Sequence, residues 1–112
     1  MVSRRISRYG LYWAQLDPTR GSEIAKTRPV VVISMDAMNR HAETVVVCPL
    51  TTKLHPTWRS RIQVLSAGKP AEIAVDQIRA ISTLRLVKKV DALTVVDAAR
   101  LRELIVEMYG LP

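Results

Sequence analysis

Short apolar runs separated by polar, turn-rich stretches recur along most of the chain and predict a protein built chiefly from β-strands. Some runs are continuous and rich in β-branched and aromatic residues, which favour an extended backbone buried on both faces. Others alternate apolar and polar residues, which is typical of a strand with one exposed face. Together they predict strands over residues 11–16, 30–34, 44–50, 61–65, 72–81 and 87–90.

The pattern changes near the carboxyl terminus, where apolar residues recur with a helical period. The apolar face of this helix consists of Leu101, Leu104, Ile105 and Met108. Thr94 is suited to begin the helix, because its hydroxyl can accept a hydrogen bond from an amide of the first turn, and Gly110 is suited to end it. Short helical turns are predicted over residues 36–40 and 82–86. This order indicates the α+β class, with a small, strongly bent sheet or barrel closed by one helix.

The length of 112 residues predicts a single domain over residues 1–112. Residues 1–8 are basic and are expected to form a loose arm. The longest aliphatic run, Val30 to Ile33, is far shorter than the ~20 residues that span a membrane, and the amino terminus lacks the apolar segment of a secretory signal. Cys48 is the only cysteine, so no internal disulfide can form. We therefore expect a cytoplasmic protein with no membrane contact.

Charge is distributed unevenly along the chain. Lys and Arg number 17 and Asp and Glu number 10, a formal net charge of +7. Residues 1–61 hold 10 of the cations and 4 of the anions, whereas residues 62–112 hold 7 and 6. A basic half favours a polyanionic partner such as nucleic acid. An acidic protein partner is the alternative that charge alone leaves open.

Residue types that hold metals or cofactors are not clustered in the sequence. His41 and His55 stand alone, and neither HExxH nor CxxC spacing occurs. The sequence also lacks glycine-rich phosphate loops of the GxGxxG or GxxxxGKS/T type. We therefore expect no metal site and no cofactor. An enzyme acting on a polyanion would then have to rely on its own side chains.

Four segments stand out for their order and spacing: Leu16–Glu23 (LDPTRGSE), Arg28–Ser34 (RPVVVIS), Pro49–Thr52 (PLTT) and Asp76–Arg79 (DQIR). Together they resemble the MazF/PemK (Kid) family of toxin endoribonucleases from type II toxin–antitoxin modules. The resemblance implies an SH3-like β-barrel of the CcdB/MazF-like kind, with short helices and a carboxy-terminal helix. It also implies a homodimer.

The resemblance further implies an activity. Such toxins cleave single-stranded RNA at short sequence motifs without a metal. The 2′-hydroxyl attacks the adjacent phosphorus, leaving a 2′,3′-cyclic phosphate and a 5′-hydroxyl. A cognate antitoxin inhibits them by laying an acidic segment over the RNA site. The implied target is mRNA, with tRNA and rRNA as alternatives.

Three residues are the catalytic candidates. Arg28 has a permanent charge and a planar fork that matches phosphate oxygens. Thr51 matches the family's catalytic threonine, and its hydroxyl can orient the 2′-hydroxyl or donate to a phosphoryl oxygen. Glu23 matches an acidic residue with a functional role in MazF-like enzymes, where it can accept a proton or contact a base edge. The structural alternatives are a surface ion pair, an ordinary strand threonine and a solvated carboxylate.

Further candidates are expected to bind RNA. In the loop of residues 53–61, cations are interleaved with Trp58, so an unstacked base can lie on the indole while the cations follow the phosphates. Gln77 and Arg79 can read bases or serve the dimer interface, and Trp13 is expected in the core or at a dimer surface. The RNA-binding candidates are Arg20, Ser22, Lys26, Thr52, Lys53, Trp58, Arg59, Asp76, Gln77 and Arg79.

One candidate separates two branches of the family. Asp76 matches an acidic residue proposed as catalytic in the Kid branch, with a structural role as the alternative. The chain departs from that branch at two positions, since Ala74 stands where Kid-like toxins carry a functional arginine and Ser22 replaces their histidine. The MazF-type pair of Arg28 and Thr51 is therefore the favoured catalytic pair.

Two other functions stay open at this point. CcdB-like toxins share the implied fold and poison gyrase through their carboxyl tail, but the tail Met108–Pro112 does not resemble that family's aromatic ending. A non-catalytic nucleic-acid-binding module would need the same basic surface as a nuclease. Composition does not separate it from an enzyme.

Overall fold

The computed structural model describes residues 5–110, which form one curled antiparallel sheet with two α-helices and two 3₁₀ turns. The strands are β1 (Gly10–Gln15), β2 (Thr27–Val32), β3 (Thr44–Thr51), β4 (Arg61–Ser66), β5 (Lys69–Ala74), β6 (Arg79–Ser82) and β7 (Leu86–Ala92). The helices are α1 (Asp36–His41) and α2 (Val95–Tyr109), and the 3₁₀ turns are Val75–Gln77 and Thr83–Arg85. The α+β class predicted from the sequence is confirmed.

Strand β3 is the centre of the sheet. The strand order is β4-β5-β3-β2-β1-β7, with β6 also paired to β3. Along one edge, β3 pairs with β2. Along the other edge, its first half pairs with β6 and its end pairs with β5. The sheet therefore curls into a half-barrel around β3.

The single strand predicted over residues 72–81 is wrong, because the 3₁₀ turn Val75–Gln77 divides it into β5 and β6. Both halves pair with β3, β5 at Leu50 and Thr51 and β6 over Thr44–Val47. The chain must therefore step along β3 between the two pairings. Apolar–polar alternation continues through the step, so the pattern gave no sign of the break.

Both faces of the sheet are buried, which explains the continuous aliphatic runs of β2 and β3. One face carries a cluster that includes Leu11, Val31, Cys48 and Ile73, and α2 covers it. The other face carries a cluster of Ile6, Tyr12, Ala14, Leu16, Val30, Val32, Val45, Val47, Ile81 and Leu86. Burial raises the pKa of the Cys48 thiol to about 12, consistent with a core role.

The amino-terminal segment is more ordered than expected. Residues 1–4 of the predicted arm lie outside the described residues. Ile6 is buried in the core, and the backbone N–H of Ser7 donates to the Tyr12 hydroxyl at 2.9 Å. Arg8 donates from Nε to the Ile33 carbonyl at 2.9 Å. The expectation of a loose arm is therefore wrong for residues 6–8, because an apolar anchor and hydrogen bonds to the rest of the fold outweigh the basic composition of the segment.

Helix α2 has the ends that its sequence predicts. The Thr94 hydroxyl accepts a hydrogen bond from the Asp97 N–H at 3.1 Å. Gly110 ends the helix with its N–H on the Val106 carbonyl at 2.8 Å, and a Cβ at Gly110 would lie 2.6 Å from that oxygen. Glycine is therefore required there by close approach, in an extended and not a left-handed backbone. Within residues 5–110, neither helix has the length and apolar character needed to cross a membrane.

The docking of α2 gives a stability prediction. Leu101 is fully buried against the sheet, so Leu101→Ala should lower the free energy of unfolding by about 2–5 kcal/mol through lost burial and a residual cavity. Leu65 of β4 is 68% exposed, and Leu65→Ala should change the free energy of unfolding by less than about 0.5 kcal/mol. Urea denaturation of both variants measures the difference, and equal losses would contradict this packing.

Candidate nucleic-acid interface and active site

The register of β2 and β3 brings Arg28 and Thr51 together. Val30 lies opposite Pro49 at the end of this antiparallel pairing, and Arg28 and Thr51 each lie two residues beyond that last pair, one on each strand. Both side chains stand where the paired strands separate, and both residues line one cavity. The two residues singled out as a catalytic pair are therefore neighbours.

Arg28 has the freedom to receive an anion. It is partly buried at the start of β2, and its Nε donates to the Ala25 carbonyl at 3.3 Å. Within residues 5–110, it makes no ion pair with a carboxylate. One hydrogen bond orients the guanidinium while its charge stays uncompensated, which is the arrangement that a phosphate oxygen needs.

Thr51 is held at the end of β3. Its residue is 8% exposed, and its hydroxyl oxygen accepts a hydrogen bond from the Lys53 N–H at 3.1 Å. A hydroxyl that accepts one bond still has its own proton to donate. Thr52 is exposed, and it too lines the cavity beside Arg28.

Two cavities meet at Thr51. The first, about 360 Å³ in volume, is here called the polar cavity. Its lining combines the charged side chains of Lys53, Arg61 and Asp76 with the uncharged polar side chains of Ser22 and Gln77 and the rings of His55 and Trp58. It therefore brings together six of the predicted site residues, namely Ser22, Thr51, Lys53, Trp58, Asp76 and Gln77.

The second cavity, about 350 Å³ in volume, is here called the apolar cavity. Its wall is mainly apolar and includes Trp13, Pro29, Leu50, Pro70 and Ala71. Its cations are Arg28 and Lys69, and its hydroxyls come from Thr27, Thr51, Thr52 and Ser66. Trp13, predicted to lie in the core or at a dimer surface, is half-buried and faces Pro29 across the β1–β2 pair.

A buried carboxylate, which the sequence reasoning missed, supports the polar cavity. Glu72 is fully buried in β5, opposite Thr51 on one side and Gln63 on the other. It accepts hydrogen bonds from Gln63 Nε2 at 2.7 Å, from the His55 N–H at 2.6 Å and from Arg61 at 2.7 Å. Alternation along β5 sets Glu72 on the face opposite the core residues Ala71 and Ile73, so the sequence pattern gave no signal that this carboxylate would be buried.

Arg61 and its two carboxylates form one charged network. Arg61 also donates from Nε to Asp76 at 2.8 Å, and its side chain is only 5% exposed. Burial alone would raise the pKa of Glu72, but hydrogen bonds from Gln63, His55 and Arg61 outweigh it and hold that pKa below its usual value. Burial would likewise raise the pKa of Asp76, but hydrogen bonds and the charge of Arg61 outweigh it, so this pKa is also lowered. Both carboxylates are therefore ionised near neutral pH.

Trp58 is exposed but already has ring partners. It is 47% exposed, and the His55 ring stacks on it with centroids 3.9 Å apart and an interplanar angle of 10°. The Arg61 guanidinium lies 4.7 Å from the Trp58 centroid. The tryptophan expected to be a free stacking platform is thus one layer of a stack anchored on the charged network.

The loop between β1 and β2 is held at both ends. The Leu16 N–H donates to the Lys26 carbonyl at 2.9 Å, and the Ile24 N–H donates to Gln77 Oε1 at 2.7 Å. Within the loop, Glu23 Oε1 accepts from the Arg20 N–H at 2.6 Å. Glu23 and Gln77 also line a smaller cavity with Arg79. The loop and the 3₁₀ turn after β5 are thereby joined into one wall.

The remaining cationic candidates are more peripheral. The Arg59 side chain is 88% exposed and forms an ion pair with Glu107 of α2. Arg20 and Lys26 are exposed on the loop outside the polar and apolar cavities. In the part of the chain that is described, no group of three or more His, Cys, Asp and Glu residues is arranged to hold a metal ion.

The charged network predicts how stability depends on pH. The depressed pKa values of Glu72 and Asp76 contribute stability that is fully present above their unfolded values of about 4 and is lost as pH falls through the folded values. Glu72→Gln should lower the free energy of unfolding by about 3–5 kcal/mol at pH 7, because it leaves Arg61 buried without its closest anion. The variant should also lose less stability than the wild type as the pH falls. Urea unfolding between pH 2 and 7 measures both effects. Asp76→Asn, at a more exposed carboxylate, is the control and should cost less.

Comparison with known proteins places this chain in a family. A family model described as PemK-like, MazF-like toxin of type II toxin-antitoxin system matches residues 7–109. Endoribonuclease MazF9 of Mycobacterium tuberculosis is 33% identical over 108 residues, covering 86% of this chain and 90% of that protein.

Solved structures of toxins share the fold. MazF from Deinococcus radiodurans matches with a TM-score of 0.83 at 19% identity, over 95% of this chain and 97% of that one. Mycobacterium tuberculosis toxin MazF-mt6 matches with a TM-score of 0.77 at 23% identity, over 92% and 98%. The half-barrel closed by α2 is thus the fold of these toxins, and the predicted architecture is confirmed. With the family match over residues 7–109, the chain belongs to the PemK-like, MazF-like toxins of type II toxin–antitoxin systems.

Proposed function

We propose that this toxin is a sequence-specific, metal-independent endoribonuclease that cleaves single-stranded RNA. The observation that carries the proposal is the pairing of an uncompensated Arg28 with Thr51 at one cavity, in a chain whose relative is named an endoribonuclease. The two cavities at Thr51 favour unpaired nucleotides, since bases held in a duplex do not offer their faces to side chains.

The proposed reaction transfers a phosphoryl group within the RNA. The 2′-oxygen bonds to the adjacent phosphorus and the bond from phosphorus to the 5′-oxygen breaks, which yields a 2′,3′-cyclic phosphate and a 5′-hydroxyl. One proton leaves the 2′-hydroxyl and one is delivered to the departing oxygen. Negative charge grows on the phosphoryl oxygens, and a preorganised cation and hydrogen-bond donor stabilise it without a metal.

The side chains divide this work. Arg28 neutralises the developing charge, and Thr51 donates its hydroxyl proton to a phosphoryl oxygen or orients the 2′-hydroxyl. Glu23 keeps its second oxygen for a proton or a base edge, because the first already holds the Arg20 amide. In the polar cavity, Lys53 attracts phosphate while Ser22, Asp76 and Gln77 present groups that can hydrogen-bond a base.

The outer contacts are proposed to attract RNA without reading it. Arg20, Lys26, Arg59 and Arg79 supply positive charge around the cavities, and Thr52 adds a hydroxyl beside Arg28. The exposed side of the Trp58 stack offers a surface for a base. The substrate is proposed to be mRNA, with tRNA and rRNA as the alternatives, and the activity is proposed to be cytoplasmic.

Two protein partners complete the proposal. A cognate antitoxin with an acidic segment would compete with RNA for the same cations, which suits a chain of net charge +7. One similar structure is an endoribonuclease in complex with its cognate antitoxin from a mycobacterial species, with a TM-score of 0.77 at 19% identity. A homodimer is supported by exposed apolar residues on consecutive elements: Val87 and Val90 of β7, and Val95, Val96 and Val106 of α2.

RNA cleavage with EDTA present tests the catalytic pair. The purified toxin should cut a long single-stranded RNA at a few short motifs and leave 2′,3′-cyclic phosphate ends. Arg28→Ala and Thr51→Ala should each lower the rate by about 10²–10³-fold, the usual cost of removing one group that stabilises a developing oxyanion. Gel analysis and phosphatase-resistant end mapping provide the measurement.

Matched controls make the result specific. Arg40→Ala removes an exposed arginine of α1, and Thr44→Ala removes an exposed threonine from the opposite end of β3; both should cleave like the wild type. RNA with a 2′-deoxy sugar at the mapped cut should stay intact. Binding without cleavage by the wild type would favour a non-catalytic module, and intact RNA with trapped gyrase–DNA complexes would favour the CcdB-like alternative.

Sedimentation equilibrium tests the dimer. The wild type should sediment with twice the mass of the chain, and Val96→Glu should shift it toward the monomer because a charge enters an apolar contact. Lys69→Glu, a charge change at the apolar cavity, is the control and should leave the mass unchanged. A wild-type monomer at micromolar concentration would contradict this part of the proposal.

A further inference from the structure

The apolar cavity is larger than the catalytic pair requires. Arg28 and Thr51 are two of its twelve lining residues, and Trp13, Pro29 and Pro70 are among the others. A volume of about 350 Å³ falls within the range of small-molecule binding sites. The reaction proposed for Arg28 and Thr51 leaves the rest of this cavity without an occupant.

The position of the cavity constrains what can fill it. Thr51 lines both cavities, so a phosphodiester held at Thr51 lies between them. Each phosphodiester joins two nucleosides, one on each side of the phosphorus. If one nucleoside enters the polar cavity, the apolar cavity is the adjoining space for the other.

The two linings differ in what they can recognise. The polar cavity offers Asp76, Gln77 and Lys53, whose donors and acceptors can distinguish base edges. The apolar cavity offers the half-buried indole of Trp13 beside Pro29, and Lys69 also lines it. Stacking on an aromatic ring tolerates every base, because every base has a π-face.

We propose that the apolar cavity is the subsite for the second nucleoside flanking the scissile phosphodiester, which stacks on Trp13 with little discrimination among the bases. The inference rests on the proposed ribonuclease function and adds an asymmetry to it. Sequence selectivity is strict on the polar-cavity side of the cut and weak on the Trp13 side. Arg28 and Lys69 neutralise the phosphates that border this nucleoside.

Abasic substrates test the subsite. After the cut is mapped, short RNAs are made with an abasic ribose immediately 5′ or immediately 3′ of the scissile bond. Wild-type kcat/KM should fall at both positions, and at the position on the Trp13 side the fall should be about 10- to 100-fold, the loss expected for one stacked base. Trp13→Ala should lose a similar factor on intact RNA and nothing further when that base is missing, whereas Trp13→Phe should retain most of the activity.

Trp58→Ala is the matched control for Trp13→Ala, because it removes the tryptophan of the polar cavity and leaves Trp13 in place. It should still suffer the full penalty at the Trp13-dependent position. At that position, exchanging the four natural bases should change kcat/KM less than exchange on the other side of the cut. An abasic penalty that persists undiminished in Trp13→Ala would overturn the proposal, whereas a wild type that leaves intact RNA uncut would refute the ribonuclease function instead.

A binding measurement guards against a Trp13→Ala variant that fails to fold. The chain has 2 tryptophans, so Trp58→Phe leaves Trp13 as the sole indole emitter. An uncleavable RNA with a 2′-deoxy sugar at the cut should quench its fluorescence, and the abasic version at the Trp13-dependent position should bind with little quenching. Equal quenching by both RNAs would show that no base lies on Trp13.

Discussion

The double pairing of β3 is the constraint on which the rest of the molecule depends. A strand paired along both edges has no freedom to slip, because a shift of one residue would exchange the side chains that it presents to the two buried faces and would break the pairing along both edges at once. The β2 register therefore brings Arg28 and Thr51 to the same end of the strand pair, where both line the apolar cavity. The β5 and β6 registers force the chain to step at Val75–Gln77. This step brings Asp76 and Gln77 to the polar cavity, which Thr51 also lines.

A buried charge gives the polar cavity its rigid wall. Glu72 sits opposite Thr51 with no solvent contact and ties together β4, β5 and the loop that carries His55. Burial of an ion pair is a poor source of net stability, since desolvation offsets most of the Coulomb gain. The main effect of the ion pair is on geometry. Glu72 and Asp76 hold Arg61 from two directions, and Arg61 in turn supports the Trp58 stack.

The active-site region thus has two kinds of wall around one reactive position. On one side, fixed charges and amides present directional groups to a ligand. On the other, Trp13 and prolines present shape and π-surface. Thr51 stands between them, and Arg28, on the apolar side, carries a charge that no carboxylate among residues 5–110 compensates. Such a site attracts an anionic chain by charge but discriminates among bases only on its polar side. Affinity and selectivity then depend on different residues.

The amino-acid sequence by itself determined the strands, the terminal helix with its Thr94 cap, the fold class and the family, because these depend on local periodicity and on short segments in order. It also indicated Arg28 and Thr51 as partners through the family's motifs. It did not reveal the break between β5 and β6, the anchoring of Ile6, the buried Glu72 or the ring stack on Trp58. Those features arise where residues distant in the chain meet, and only tertiary pairing and burial decide whether a charge stays solvated or becomes part of the core.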